Sequence, residues 1–72
     1  MDFGDAIKAM KEGKAVHRTI WMGTQARIKM QMPDEYSKMS IAYLYIENEQ
    51  GVRVPWSPSQ LDMLQEDWSV VE

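Results

Sequence analysis

Apolar and polar residues near the start of the chain recur with the spacing of an amphipathic helix. Phe3, Ile7 and Met10 stand at positions i, i+4 and i+7, so they fall on one helical face. Asp2 is a favourable N-cap, and Gly13 suits the left-handed residue that follows a helix. We therefore predict a helix that begins at Phe3, is ended by Gly13 and covers one face of a sheet.

Further along the chain, side chains alternate between apolar and polar with the period of two that β-strands show. The predicted strands are Ala15–Ile20, Thr24–Met32, Met39–Glu47, Val52–Val54 and Trp68–Val71. Asn48–Gly51 predicts a hairpin turn, and the polar segment 33–38 predicts a loop, which we expect to be the most mobile part. The third strand is apolar on both faces, so we expect the helix to cover one face and a second chain or a ligand to cover the other.

A second, shorter helix is predicted before the last strand. Ser57 fits the N-cap position, Pro58 the first helical position and Gln60 the capping-box position. This pattern predicts a helix that begins at Pro58 and ends near Gln65.

Apolar residues of this helix and of the last strand are expected to complete the core. We predict that Leu61, Leu64 and Trp68 hold the helix on the sheet. The whole pattern predicts one α+β domain over residues 1–72. It consists of an N-terminal amphipathic helix packed on a four- to five-stranded antiparallel sheet, with a short helix before the last strand.

The short length makes the stability of an isolated chain marginal. A domain of 72 residues buries only about 60% of the surface that its unfolded chain exposes. The sequence has no cysteine, so neither a disulfide nor a thiolate zinc site can add stability. Hydrophobic residues make up 44% of the chain, which favours self-association as the remaining source of stability.

The charge pattern restricts the classes of partner. The net charge is −3 and the eight basic residues are spread along the chain, which argues against binding of long nucleic acid. A small anion remains compatible with this charge, because two or three local donors can hold a diphosphate. The chain has no apolar run long enough to span a membrane and no signal-peptide pattern, so we expect no membrane association and a cytoplasmic location.

The sequence offers no recognisable catalytic or metal-binding motif. It contains no glycine-rich phosphate loop, no zinc-protease pattern and no cysteine nucleophile. His17 lacks a neighbouring nucleophile or orienting acid, so we interpret it as a strand-face residue. Asp62 and Asp67 lie five residues apart across a helix end and are not expected to face each other as an acid pair. The sequence therefore predicts no enzyme, no metal site and no cofactor.

The aromatic residues are more informative about binding. Trp21 lies at a predicted strand end shortly before Gly23, and Trp56 lies between a strand and a helix, where side chains often line pockets. Arg18 nearby is a candidate phosphate ligand, and the helix start at Ser57–Gln60 suits an anion. The alternative interpretation, that the tryptophans only fill a small core, stays open at this point.

Two segments of the chain together resemble a known family. The first contains Phe3, Gly4, Ala6, Ala9, Lys11, Gly13, Lys14, Val16, Arg18, Trp21 and Gly23. The second contains Val54, Pro55, Trp56, Pro58, Ser59, Gln60, Asp62, Leu64, Asp67 and Trp68. In this order the segments resemble the small phage and bacterial domain of the second Thoeris anti-defense type, over nearly the whole chain. Ile20 and Met22 depart from that pattern, since family members commonly carry glycine and asparagine there.

The resemblance implies a phage protein that acts as a sponge in the host bacterial cytoplasm. Such a homotetramer, a dimer of dimers, binds a signalling nucleotide without cleaving it. The ligand would be an isomer of cyclic ADP-ribose or, in some members, a cyclic oligonucleotide. By position, Trp21 and Trp56 are expected to form aromatic walls of a pocket between chains. The other implied contacts are Arg18, Met22, Gly23, Ser59, Gln60 and Asp62.

Two alternatives to a sponge remain at the level of the sequence. One is a small phosphodiesterase or glycohydrolase that destroys the signal. The other is a structural homo-oligomer or protein-binding module with no small ligand.

Overall fold

The computed structural model describes residues 1–21, 23, 26–33 and 41–71. Met22, a predicted site residue, lies outside the described residues, as do 34–38 of the predicted loop. The same holds for the predicted starts of two strands, 24–25 and 39–40. The expectations for these residues therefore stay predictions.

The N-terminal helix, α1, spans Phe3–Lys11 and begins where the sequence predicts. Asp2 caps it, since its carboxylate accepts a hydrogen bond of 2.8 Å from the backbone N–H of Asp5. Gly13 follows the helix with φ = 90°, a left-handed conformation that glycine adopts without steric cost. Both predicted ends of this helix are confirmed.

The buried face of α1 is centred on small residues. Ala6, Ala9 and Met10 are buried, whereas Phe3 and Ile7 are half-buried at the margins. The predicted stripe of Phe3, Ile7 and Met10 is therefore rotated toward the alanines. The small side chains of Ala6 and Ala9 let the helix backbone approach the sheet closely. Larger side chains at these two positions would prevent that approach.

Among the described residues, five antiparallel strands form one sheet in the order β4-β3-β2-β1-β5. They are β1 Val16–Arg18, β2 Arg27–Gln31, β3 Tyr43–Glu47, β4 Arg53–Pro55 and β5 Trp68–Val70. The predicted α+β class, with its N-terminal helix and its short helix before the last strand, is confirmed. β4 begins and ends one residue later than predicted.

Several predicted strands are too long. β1 stops at Arg18, because the chain then enters a 3-10 turn over Thr19–Trp21 that the alternating pattern did not reveal. In that turn Ile20 is 68% exposed, not on the buried face with Val16 and Arg18. Ile41 is likewise exposed and precedes β3, which begins at Tyr43.

The core lies between α1 and the sheet. Its buried members are Ala6, Ala9, Met10, Val16, Ile28 and Trp68. Leu44 and Ile46 of β3 pack against it, so this face of β3 is covered as predicted. In the described part of the chain, no helix has the length and apolar character needed to cross a membrane.

The opposite face of β3 is covered partly by the chain itself. Tyr45 is buried there, and the guanidinium of Arg53 lies 5.2 Å from the centre of its ring. Tyr43 packs beside it, with 6.5 Å between the ring centres. Tyr45 is therefore covered within the chain itself and needs neither the second chain nor the ligand that the sequence led us to expect on this face.

The second helix, α2, is shorter than predicted and spans Gln60–Leu64. Ser59, not Ser57, is its N-cap, and Asp62, not Gln60, completes the capping box. Both serines are compatible with the cap, and the aspartate at the third helical position selects the later one because its carboxylate reaches back to the Ser59 backbone.

The apolar side chains of α2 do not enter the core. Leu61 is 63% exposed and Leu64 is 78% exposed, so the prediction that they hold the helix on the sheet is wrong. Trp68, the third predicted member of that contact, is 1% exposed and lies in the core. Asp62 and Gln65 are the less exposed side chains here, which means that α2 turns polar residues inward.

Candidate functional site

All three tryptophans of the chain meet in one place, which we call the tryptophan cluster: Trp21, Trp56 and Trp68. Ring centres are 5.5 Å apart for Trp21 and Trp68, and 6.2 Å apart for each of the other two pairs. Trp68 lies at the base of the cluster, where it also contacts Phe3 of α1. Residues far apart in sequence are thus brought together within a single chain.

Three different elements position the cluster. Trp21 ends the 3-10 turn that follows β1, and Trp68 begins β5, the strand that pairs with β1. Trp56 follows β4, and its backbone N–H donates a 3.0 Å hydrogen bond to the carbonyl of Leu44. Because the two outer tryptophans stand at element ends, their rings reach the surface while Trp68 is enclosed.

The rings of the cluster pack against one another and do not lie parallel. Trp21 and Trp56 meet edge to face, at 85°, an arrangement that aromatic pairs favour. A nucleobase cannot stack between them as they stand within one chain. Both rings are half-buried, so each still offers surface to a ligand or a second chain. The interpretation of tryptophans as core therefore holds fully for Trp68 and partly for the other two.

A charged cluster lies beside the tryptophans and is built around Arg18, which is 6% exposed. Its Nε donates to Oδ1 of Asp67 at 3.0 Å, and its Nη1 donates to Oδ1 of Asp62 at 2.9 Å. One guanidinium thus joins two carboxylates that are five residues apart. The sequence did not lead us to expect these two carboxylates to lie close together. They do so because both bind the guanidinium of Arg18.

The two aspartates are also bonded to neighbouring groups. Oδ2 of Asp62 accepts from the Ser59 hydroxyl at 2.9 Å, and the Asp62 carbonyl accepts from the indole N–H of Trp68 at 2.9 Å. Oδ2 of Asp67 accepts from the Thr19 hydroxyl at 3.3 Å. The charged cluster is therefore linked directly to the tryptophan at the centre of the aromatic group.

The pKa values show that this cluster is ionised. The hydrogen bond from Arg18 lowers the pKa of Asp67 below its ordinary value. Burial raises the pKa of Asp62, but hydrogen bonds from Ser59 and Arg18 outweigh it, so its pKa is lowered as well. The hydrogen bond to Asp67 raises the pKa of Arg18. Neither carboxyl group holds a proton near neutral pH, and neither can act as a general acid there.

A second charged cluster lies on the opposite face of the sheet. Glu47, which is 7% exposed, accepts from Arg27 at 2.8 Å and from Arg53 at 2.6 Å. The hydrogen bond from Arg27, followed by that from Arg53, lowers the pKa of Glu47. Next to it is a cleft of about 100 Å³, lined by Gln31, Tyr43, Tyr45, Arg53, Val54 and Pro55.

The residues at 1–21, 23, 26–33 and 41–71 include no cluster of the usual metal-ligating side chains. Among them, no group of three or more histidine, cysteine, aspartate or glutamate side chains could hold a metal ion. Asp62 and Asp67 in particular are both paired with Arg18, whose positive charge opposes a cation at that point.

Comparison of the amino-acid sequence with known proteins assigns the chain to a family. The model of the Thoeris anti-defense 2-like domain matches residues 1–71. The chain belongs to the Thoeris anti-defense 2-like domain family. A curated relative, "Thoeris anti-defense 2" of Bacillus phage SP01, is 29% identical over 84 residues, which cover 99% of this chain and 94% of that protein. Family membership supports a phage anti-defense role.

In this Thoeris anti-defense 2-like chain, most of the predicted site residues lie together. Trp21 and Trp56 form the outer part of the tryptophan cluster, and Arg18, Ser59 and Asp62 belong to the adjoining charged cluster. Gly23 and Gln60 are exposed, the first with φ = 93° two positions after Trp21 and the second at the start of α2. Met22 lies outside the described residues.

The structure shows what surrounds two of the predicted polar contacts, whose role toward a ligand stays a prediction. The sequence suggested Arg18 as a phosphate fork, but two of its nitrogens are bonded to aspartates inside the protein. It also suggested an anion site at the start of the second helix, but α2 has only five residues and carries the Asp62 carboxylate in its first turn. A negative ligand there would be repelled by that carboxylate.

Sequence reasoning missed the roles of Asp67 and Thr19 in this domain. Asp67 was considered as half of an acid pair and as part of the family resemblance, but not as a partner of Arg18, although it precedes Trp68, which pairs with Arg18 in the β1–β5 register. That register is set by the fold, and no local sequence pattern encodes it. A charged residue next to an aromatic strand residue was the only available signal.

Proposed function

We propose that this protein is a non-catalytic sponge that binds and sequesters a nucleotide immune signal. The signal we propose is the cyclic ADP-ribose isomer of Thoeris, with cyclic oligonucleotides as a further possible ligand class. The observation that supports this most is the meeting of Trp21 and Trp56 at the surface of one aromatic cluster. It occurs in a chain that belongs to an anti-defense family.

The aromatic surfaces suit a nucleobase. Stacking of a base on an aromatic ring is worth about 1–3 kcal/mol and does not depend on the identity of the base. Trp21 and Trp56 are half-buried, so their orientation is fixed while part of each ring stays accessible. Such preorganised rings lose little conformational entropy on binding. In this proposal Met22, Gly23 and Gln60 also contact the ligand.

The edge-to-face contact within one chain favours a pocket that is completed by another chain. A base needs a second surface on its other side, and Trp21 and Trp56 of one chain do not provide it. Ile20, Leu61 and Leu64 are strongly exposed apolar residues, and contact with a second chain would remove their side chains from water. We therefore propose a homotetramer, a dimer of dimers, with the ligand between chains.

The ionisation of the charged cluster supports binding over catalysis. A glycohydrolase or phosphodiesterase needs an acid or a base that can exchange a proton near neutral pH. The bond from Arg18 instead lowers the pKa of Asp67, and bonds from Ser59 and Arg18 outweigh burial and lower the pKa of Asp62. A sponge needs affinity alone, and nanomolar affinity corresponds to about −12 kcal/mol.

Calorimetric titration with cyclic ADP-ribose isomers and cyclic dinucleotides tests the proposal. We expect one of them to bind the wild-type protein and Trp56→Ala to weaken binding at least tenfold. Tyr43→Ala is the matched control, since it removes an aromatic ring from the opposite face and should leave affinity unchanged. Equal affinity of wild type and Trp56→Ala would contradict the proposed site.

The packing of Trp21 and Trp56 against the core favours a second candidate, a structural homo-oligomer without a small ligand. In that case none of the nucleotides would raise the melting temperature. Trp56→Ala would then lower the melting temperature without any other effect. A thermal-shift series with the same nucleotides separates the two functions.

A further inference from the structure

We infer that Arg18 is a positioning residue for the tryptophan cluster, which it aligns through Asp62 and Asp67 without touching the ligand. For its effect on binding, this inference rests on the proposed nucleotide site. Its structural part concerns the unliganded protein and can be tested alone. It assigns Arg18 a role different from the phosphate contact that the sequence suggested.

The first step concerns what holds α2 in place. None of its residues is buried, and Leu61 and Leu64 point away from the core. A helix of five residues is too short to be stable by itself in water. Two hydrogen bonds anchor it to the sheet: the bond from Arg18 to the Asp62 carboxylate and the bond from the Trp68 indole to the Asp62 carbonyl.

The second step concerns Asp62, which connects three parts of the site. Its carboxylate binds Arg18 on one side and the Ser59 hydroxyl on the other, and its carbonyl receives Trp68. Ser59 is three residues after Trp56, so the chain between Trp56 and α2 is fixed at both ends. The position of α2 therefore sets the path of the segment that carries Trp56.

The third step concerns the other arm of Arg18. Asp67 binds its Nε, and the backbone carbonyl of Asp67 accepts from the N–H of Thr19 at 3.0 Å. Thr19 begins the 3-10 turn that ends in Trp21. One guanidinium thus links the turn that carries Trp21 to the segment that follows Trp56, with Trp68 between them.

The geometry requires arginine at this position. Nε and Nη1 lie on different edges of a rigid planar fork and reach two carboxylates at 3.0 and 2.9 Å at once. The single ammonium of a lysine is a point charge on a flexible stem and cannot reproduce that arrangement. Arg18→Lys should therefore keep the charge and lose the alignment.

The test uses the three tryptophans as an internal probe. Since all of them belong to the cluster, the near-ultraviolet circular dichroism of the chain reports mainly on its geometry. We compare wild type, Arg18→Met, Arg18→Lys and the control Arg27→Met, which breaks the ion pair with Glu47 on the opposite face. Far-ultraviolet circular dichroism identifies variants that stay folded, and calorimetry with the cyclic ADP-ribose isomers measures affinity.

We expect Arg18→Lys to stay folded, to lose at least half of the near-ultraviolet tryptophan signal, and to bind about tenfold more weakly or worse. Arg27→Met should keep both the signal and the affinity, even if its melting temperature falls. Arg18→Met should behave as Arg18→Lys does wherever it folds.

Three other results are distinguishable from one another. If Arg18→Lys keeps the wild-type signal and affinity and only melts earlier, Arg18 is merely structural and the inference is wrong. If wild type binds no nucleotide while the signal still depends on Arg18, the proposed function fails and the positioning role stands. A direct phosphate contact would instead weaken binding with the tryptophan signal unchanged, which also overturns the inference.

Discussion

At the scale of single residues, Trp68 is the side chain on which the site depends most. It is 1% exposed, contacts both other tryptophans and donates its indole N–H to Asp62. Its exchange for a smaller ring leaves a cavity and also leaves the Asp62 carbonyl without that donor. Both effects destabilise the folded state.

We predict that Trp68→Phe lowers the free energy of unfolding by about 2–3 kcal/mol. The half-buried Trp56 gives the matched control, since Trp56→Phe should cost less than about 1 kcal/mol. Urea unfolding followed by far-ultraviolet circular dichroism measures both values. Equal losses for the two variants would contradict the central place of Trp68.

The carboxylates of the charged cluster predict a dependence of stability on pH. The bond from Arg18 lowers the folded-state pKa of Asp67 below that of the unfolded chain, so the folded state binds fewer protons in acid. The stabilisation is complete above the unfolded pKa of about 4 and is lost as the pH falls through the lower folded value. Asp62 and Glu47 shift in the same direction.

We therefore expect the free energy of unfolding to fall steadily from about pH 4 downward. Asp67→Asn should show a smaller fall over the same range, because one titrating group is gone. Urea titrations at pH 7, 4 and 3 measure the difference. Stability that does not change between pH 7 and 3 would show that these ion pairs contribute nothing.

At the scale of elements, the start of α2 gives a direct test of local structure. Ser59 accepts from the backbone N–H of Asp62 at 3.1 Å, whereas Ser57 precedes the helix. We predict that Ser59→Ala lowers the free energy of unfolding by about 1 kcal/mol and that Ser57→Ala has little effect. Thermal unfolding of the two variants checks this. A larger loss of stability for Ser57→Ala than for Ser59→Ala would instead indicate that Ser57 is the N-cap, as the sequence first suggested.

The elements show how far the sequence could predict the fold. Periodicity and caps predicted α1 and the five strands, because those signals are local. The inward face of α2 was predicted wrongly, because Leu61 and Leu64 are apolar and a local pattern cannot show that Asp62 is held by a distant arginine. The prediction that the first strand continues to Ile20 was wrong for a similar reason. The chain forms a 3-10 turn after Arg18, and such a turn has no alternating pattern that would reveal it.

The candidate site was predictable in its aromatic part only. Trp21 and Trp56 stand at element ends, which a sequence can indicate, and the structure brings them to one place. The partners of Arg18 depend on the pairing of β1 with β5, which joins residues about 50 positions apart. The role of Trp21 and Trp56 as ligand contacts remains a prediction.

At the scale of the whole molecule, the small core and the exposed apolar side chains predict assembly. Ile20, Leu61 and Leu64 are each more than 60% exposed, and a chain of 72 residues has little core to spare. We expect light scattering after size exclusion to give about four times the chain mass of 8.4 kDa. A monomer at micromolar concentration would contradict the proposed tetramer and with it a pocket between chains.

The function as a sponge is tested most directly by what becomes of the ligand. The protein is incubated with the cyclic ADP-ribose isomer, free nucleotide is removed by filtration, and the retained fraction is heated to denature the protein. We predict that the released nucleotide is intact by mass spectrometry and equals what was bound. Recovery of a cleaved product, or of no retained nucleotide at all, would contradict sequestration.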